Sequence, residues 1–451
     1  MQQRSTWWMR ALALAGWAVL TAPGLAKAAD DDEAPHLVLG PMTGHTTDTS
    51  TTLWAATSAP ARIAVLLKSP EGEVVKAEGT TAAVVDGGAG NRVVTGTVTV
   101  RGLRPRTRYS VQVLVADETQ PQNFSLLTAP ALDQHEHLRI GLASGANTAL
   151  DRQQWVWQTI AEAKPDVMLF LGDAPIFQKG TALHEPDDWD EVPRMAARHL
   201  ELRGLKPLQS LLRCAACYAT WDDHDYGASD SDSSFALKGD ALRLFKAMWT
   251  NPGYGGAGSE GLWCTFRRGD VQVLLLDDRS WRDNDDVPRD RRGMLGKAQT
   301  AWLVHELTTS TAAIKVVAMG CQFLGDQAAF PGYAQFPAER AQILDAIAAK
   351  RVAGVIFVSG DRSFAELQKL DRPDAYPLYN LGTSPVAGRV DNAGYRTPNP
   401  LRAAGYSGGA NFGILDIDTA AVPPAVVFRV SDSKGGIGFT KTVLVSDLTY
   451  K

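Results

Sequence analysis

Four short, mainly apolar or β-prone runs, each closing on acidic residues, limit what this chain can fold into. Val167 to Leu171 leads into Gly172 and Asp173, and Val271 to Leu276 leads into Asp277, Asp278 and Arg279. Val355 to Val358 leads into Ser359, Gly360 and Asp361, while Tyr218 to Trp221 leads into Asp222, Asp223, His224 and Asp225. So short a run without a polar face reads as a strand buried on both sides, inside a sheet covered by other layers. Ligands of α/β sheets sit outside the carboxyl ends of the strands, so these acids are expected to share one crevice. Gathered Asp and His side chains imply a hard cation, proton transfer, or both.

From Leu138 onward strand and helix patterns alternate, which argues for an α/β domain over residues 136–451. Leu138 to Leu142 opens it, and Gln153 to Ala163 follows as a helix with Val156 and Ile160 one turn apart. Leu242 with Phe245, and Leu303 with Leu307, give similar stripes. These stripes, with Trp249 and Trp302, are assigned to the core, because their spacing does not support an aromatic ligand strip. Strands return late, at Phe412 to Ile417, Val426 to Val430 and Phe439 to Val445.

Residues 36–130 follow another pattern, with alternating β segments at Thr51–Ala56, Arg62–Lys68, Val93–Val100 and Tyr109–Val115. The run Gly102 to Tyr109 resembles the corner of fibronectin III-like sandwiches, where a Tyr hydroxyl bonds to upstream backbone. This front domain is expected to be a scaffold or a lid. Before it, Met1 to Ala28 reads as a secretory signal: Arg4 and Arg10 precede an apolar stretch, and Ala26-Lys27-Ala28 is a small-x-small cleavage pattern. A membrane anchor is the alternative, although the apolar run is short for a span. Residues 29–35 are an acidic linker, and a periplasmic or secreted mature protein without a transmembrane segment is expected. A formal net charge of -5 offers no basic face for nucleic acid. The four cysteines, Cys214, Cys217, Cys264 and Cys321, lack zinc-finger spacing and leave two readings open, a disulfide or buried free thiols.

An ordered series of motifs resembles the alkaline phosphatase D (PhoD-like) metallophosphatases: GPMTGHTTDTSTTLWA from Gly40, LFLGD ending at Asp173, TWDDHD from Thr220, LLLDDRSWRD from Leu274, MLGKAQTAWL from Met294 and VSGDRSFAEL from Val358. The resemblance covers nearly the whole chain after the signal. It implies a metallophosphoesterase-like four-layer α/β/β/α sandwich behind a fibronectin III-like domain, hydrolysis of phosphomonoesters or phosphodiesters, and a metal centre that in the family uses iron and calcium. Asp173, Asp223 and Asp361 stand at matching metal positions, and His224 at that of a general acid or phosphate contact.

Other positions depart from the family pattern. Gly145 stands where a Cys is usual, Ile176 where a Tyr is, Ser229 where an Asn is, and Ser363 where a His is. What remains, Asp173, Asp223 and Asp361 with Asn147 or Ser363 as helpers, is an oxygen-only set suited to calcium, magnesium or manganese and not to iron. The resulting expectation is an exported phosphoric ester hydrolase acting on a small anionic substrate. In it Asp223 binds metal or orients water, His224 protonates the leaving oxygen, and Arg279 or Arg362 receives the substrate anion. Three local alternatives stay open: a buried ion pair for Asp277, Asp278 and Arg279, a brace to Glu366 for Arg362, and a satisfied polar role for His224. Two functional alternatives are a metal-depleted pseudoenzyme that binds a sugar, lipid or protein, and a non-phosphate hydrolase or lyase using the Asp/His cluster directly.

Overall fold

The computed structural model describes residues 34–85, 92–121, 123–132, 134–182, 185–256, 258–325 and 332–451. The signal segment and most of the acidic linker fall outside them. Two inner sheets face each other. The first runs in the order Ala216–Thr220, Val167–Leu171, His137–Ala143, Asn411–Asp418, Ala425–Asp432, Ile437–Leu444. The second runs Cys264–Arg268, Val271–Leu275, Ile314–Ala318, Val355–Ser359, Ala375–Gly382, Ala365–Arg372, Arg402–Tyr406. The strands expected from the four apolar runs are present, and each pairs in parallel with at least one neighbour.

Strand alternation explains the layering. Leu169 and Leu171 turn into the core between the sheets, while Met168 and Phe170 turn the other way, under helices. Helices Val156–Glu162, Val192–Gly204, Lys206–Cys214 and Lys238–Met248 cover the first sheet through Ile160, Met195, Leu211 and Phe245. Gly296–Thr309 and Pro337–Ala349 cover the second through Leu303, Leu307, Ile343 and Ile347. Helix, sheet, sheet and helix give the four-layer sandwich. The first helix starts at Val156, later than its apolar stripe suggests, because Asp151 spends its carboxylate on the N–H groups of Gln153 and Gln154 in a turn.

In front lie two antiparallel sheets, Leu37–Thr46, Ser50–Thr57, Val93–Arg101, Ala82–Val85 and Val74–Thr80, Arg62–Lys68, Arg108–Val115, Glu118–Thr119, with Phe124–Leu127 paired to Arg108–Val115. The Tyr109 hydroxyl accepts the Arg104 N–H at 2.9 Å, the expected corner. Trp54 donates its indole N–H to the Ala247 carbonyl at 2.7 Å, and the Arg203 guanidinium lies 4.9 Å from the Trp54 ring and 4.3 Å from the Trp249 ring. The Thr46 N–H also reaches the Tyr218 hydroxyl, so the front domain buttresses the strand that ends in Asp222–Asp225.

Candidate active site

The tips of the two inner sheets converge. Thr220 of the first sheet donates its hydroxyl to the Leu276 carbonyl, at a strand end of the second, and across strand ends within the second sheet the Gly360 N–H donates to the Gly320 carbonyl at 2.7 Å. Gly360 is needed there: a Cβ would stand 2.2 Å from Ser144 Oγ and 2.4 Å from the Leu171 carbonyl oxygen. The backbone turns sharply where the acids sit, with φ of 57° at Asp173, 69° at Asp361 and 53° at Ser363. Non-glycine residues rarely hold this left-handed region, and such strain collects at functional tips.

Among the described residues, the donor atoms that come within 4.8 Å of one another belong to Asp173, Asp223 and His224. Asp223 is fixed by the N–H groups of His224 at 3.0 Å and Asp230 at 2.7 Å. The Asp173 carboxylate also accepts the His224 N–H, at 3.3 Å. His224 itself is 35% exposed, at the rim. The donors that gather are therefore two carboxylates and an imidazole, not oxygen alone. Asp361 stands beside them outside that 4.8 Å group, with its Oδ2 buried and lacking a hydrogen-bond partner.

The electrostatics have one dominant cause. Burial, then the charges of Asp223, Asp225 and Asp361, push Asp173 well above the usual carboxylate range. Burial also raises Asp361 to about 7, against the pull of Arg362. Asp225 rises to about 7 for the same first reason, although the N–H groups of Asp222 and Ala174 bond to it. Asp223 goes down: burial opposes its charge, but Arg279, His224 and the Asp230 N–H outweigh that cost. Carboxylates that raise one another in a buried hollow are what a divalent cation would relieve.

Arg279 does not occupy the expected place. It is 1% exposed, and its Nε and Nη2 both donate to Asp222 Oδ1, the former at 2.8 Å, with Asp278 Oδ1 3.6 Å from Nε. Arg279 does sit in a buried ion pair, but its hydrogen-bonded partner is Asp222, not the Asp277 and Asp278 of the open reading: Asp278 stands at longer range and Asp277 bonds only the Arg279 backbone N–H, so the guanidinium is already engaged. Burial works against its charge, yet Asp222, Asp223 and Asp278 hold its pKa well above the ordinary value. Asp277 organises the same loop, accepting from Trp221 Nε1 at 2.7 Å and from the Leu262, Arg279 and Ser280 N–H groups. Asp222 and Asp225, absent from the expected site residues, are thus part of its frame, and only their place in the TWDDHD run hinted at it.

Arg362 is 8% exposed, 5.4 Å from the Phe364 ring, and its charge is felt at Asp361. Glu366 is held by Arg402, Asn399, Gln322 and Gln368. Asn147 caps a turn, its Oδ1 accepting the N–H groups of Ala149 and Leu150. Gly145 adopts φ of 75°, and a Cβ there would stand 2.9 Å from Ser384 Oγ and 3.0 Å from Pro385 Cα. The thiolate position is therefore closed by the backbone, beyond the mere exchange of a side chain. All four cysteines are free thiols, and the expected burial holds for Cys217, Cys264 and Cys321 while Cys214 is exposed.

Two facing sheets with acids on their joined strand tips, flanked by helices and preceded by a β-sandwich, define a phosphoesterase-type fold. The profile of the PhoD-like phosphatases matches residues 140–398, more than half of the chain, and the chain belongs to that family. A domain family of unknown function (DUF7800) matches residues 34–125. A solved structure of PhoD is similar at 18% identity, covering 89% of this chain and 88% of that one, with a TM-score of 0.72. The purple acid phosphatase PPD1 from yellow lupin (Lupinus luteus) seeds is similar at 12% identity over 92% of this chain and 75% of that one, with a TM-score of 0.66. No curated protein matches the chain significantly in sequence. No helix among the described residues is long and apolar enough to cross a membrane.

Proposed function

We propose that the chain is an exported phosphoric ester hydrolase, acting on a phosphomonoester or phosphodiester with the help of a divalent cation. The observation that carries this reading is the convergence of Asp173, Asp223 and His224 within 4.8 Å, beside the orphaned Asp361 carboxylate oxygen. The donor set fits a cation, because it gathers negative charge while one buried guanidinium that bears on it, Arg279, is already engaged by Asp222. Asp173 and Asp223 would hold the ion and Asp361 would close the hollow. Bound there, such an ion supplies neutralisation of phosphoryl oxygens and activation of water. With Gly145, Ile176 and Ser363 at the remaining ligand positions, calcium, manganese or magnesium fits better than iron.

The chain's own groups divide the other work. His224, at the rim and 4.0 Å from Asp223 Oδ2, donates the proton to the leaving oxygen. Asp223 stays ionised and fixed in direction. Arg362, whose positive charge already bears on Asp361, is assigned to the substrate anion in place of Arg279. The stretch Met1 to Ala28 would direct the chain to the periplasm or the exterior. Release of nitrophenol from mono- and bis-nitrophenyl phosphate with added calcium or manganese tests the proposal. Asp173→Ala should lower the rate at least about a hundredfold. Equal, negligible rates for both proteins across a panel of divalent ions would leave a binding scaffold in its place.

A further inference from the structure

A second concavity lies at the other end of the same strands. Lys164 to Asp166 precede Val167–Leu171, and Ala215 precedes Ala216–Thr220, and all line a cavity of about 410 Å³ shared with the front domain. Five-residue strands separate it from the acid hollow, roughly 16 Å of extended backbone. Its volume is that of an ordinary small-molecule site, roughly 300–1,000 Å³. Arg108, Lys164 and Arg268 supply three cations to its wall, against one acid, Asp166, while Leu126 and Leu127 supply an apolar side.

Arg268 is the unusual member. It is 3% exposed, yet its Nε and Nη1 have no hydrogen-bond partner. Glu136 Oε1 lies 3.6 Å from Nε and Asp166 Oδ1 lies 4.0 Å from Nη2. Those carboxylates balance charge without filling the donors. Three cations against two carboxylates leave the cavity positive by one. Buried charged donors are rarely left unmade, because the unmet group keeps its full desolvation cost. A planar, enclosed guanidinium with two nitrogens lacking a hydrogen-bond partner, on the wall of a cavity with two further cations and an apolar side, matches an oxyanion carrying a short hydrocarbon body.

We infer that this interdomain cavity binds a small oxyanion, a carboxylate or phosphate with a short apolar body, on Arg268, Lys164 and Arg108. Such a ligand touches both domains and stabilises their union. The site is independent of the acid hollow, so the inference stands or falls apart from the proposed hydrolysis.

Thermal unfolding of the full chain, titrated with hexanoate in one arm and inorganic phosphate in the other, tests it. To remove phosphate binding at the acid hollow, the titrations are run on Asp173→Asn as well as on wild type. In both proteins at least one anion should raise Tm saturably, by roughly 2–4 °C at a hundredfold excess over Kd. The arm that responds identifies the head group. Arg268→Gln should abolish the shift. Because that side chain is buried, the exposed Lys164→Ala and Arg108→Ala serve as folded controls and should each weaken binding severalfold. No saturable shift with either anion, or a shift unchanged in Lys164→Ala and Arg108→Ala, would overturn the inference and leave ordered water as the partner of Arg268.

Discussion

Removing the guanidinium of Arg279 should damage the fold before it damages substrate binding. The pair it makes is fully enclosed, with Arg279 at 1% exposure and Asp222 and Asp278 at 0%. Arg279→Met takes two hydrogen bonds from Asp222 Oδ1 and strands two carboxylates, one oxygen of each already lacking a hydrogen-bond partner. Breaking a buried pair from one side costs about 3–5 kcal/mol, a large fraction of an ordinary domain's stability of about 5–15 kcal/mol. Urea unfolding followed by tryptophan fluorescence reads this as a lower midpoint at constant slope. Adding Asp222→Asn to Arg279→Met should recover more than about 1 kcal/mol, since a neutral amide is cheaper to bury than an unpaired charge. If Arg279→Met stays within about 1 kcal/mol of wild type and instead raises KM with kcat unchanged, Arg279 is a substrate contact and the buried-pair account is wrong.

His224→Ala separates two roles for that ring: as proton donor, its loss lowers kcat most for poor leaving groups while metal content, read by elemental analysis, stays level. A parallel loss of metal would make it a ligand. His199 is 2% exposed, and burial, then Arg203, lowers its pKa to about 3. An unfolded His titrates near 6.5, so the unfolded chain binds the extra proton first; the stabilising share is complete above pH 6.5 and drains as pH falls toward 3. Between pH 6.5 and 5 the loss is about 2 kcal/mol, and His199→Leu should flatten that part of a stability-versus-pH curve. Gly145→Cys should not create a metal ligand; the left-handed backbone and the contacts with Ser384 and Pro385 make it cost about 1–3 kcal/mol, seen as a lower Tm with unchanged metal content.

The sheet skeleton was legible because strands buried on both faces leave an unmistakable apolar run, as in Val167–Leu171 and Val355–Ser359. Ile314–Ala318 escaped notice because Lys315 interrupts it; the structure bends that amine out to the Ala312 and Ala353 carbonyls. Ala375–Gly382 was hidden by Pro377 and Asn380, the latter buried to bond Ser359 Oγ. Asp173, Asp223 and His224 could be read as neighbours because each closes or follows a strand. What the linear order could not tell was which charge pairs with which: Asp222 and Arg279 are 57 residues apart, and only the meeting of the two sheets makes them partners. Similarly, the glycine at position 145 reads as a lost ligand in sequence, whereas a Cβ there would press on Ser384 and Pro385.

Calorimetric titration of calcium and manganese into metal-stripped protein, beside the same titration of Asp173→Asn, bears most directly on the acid hollow as a cation site. Saturable binding to wild type that is lost in Asp173→Asn, with nitrophenyl phosphate hydrolysis appearing over the same range of metal, is the predicted result. Binding that is absent in both proteins, or equal in both, would contradict it.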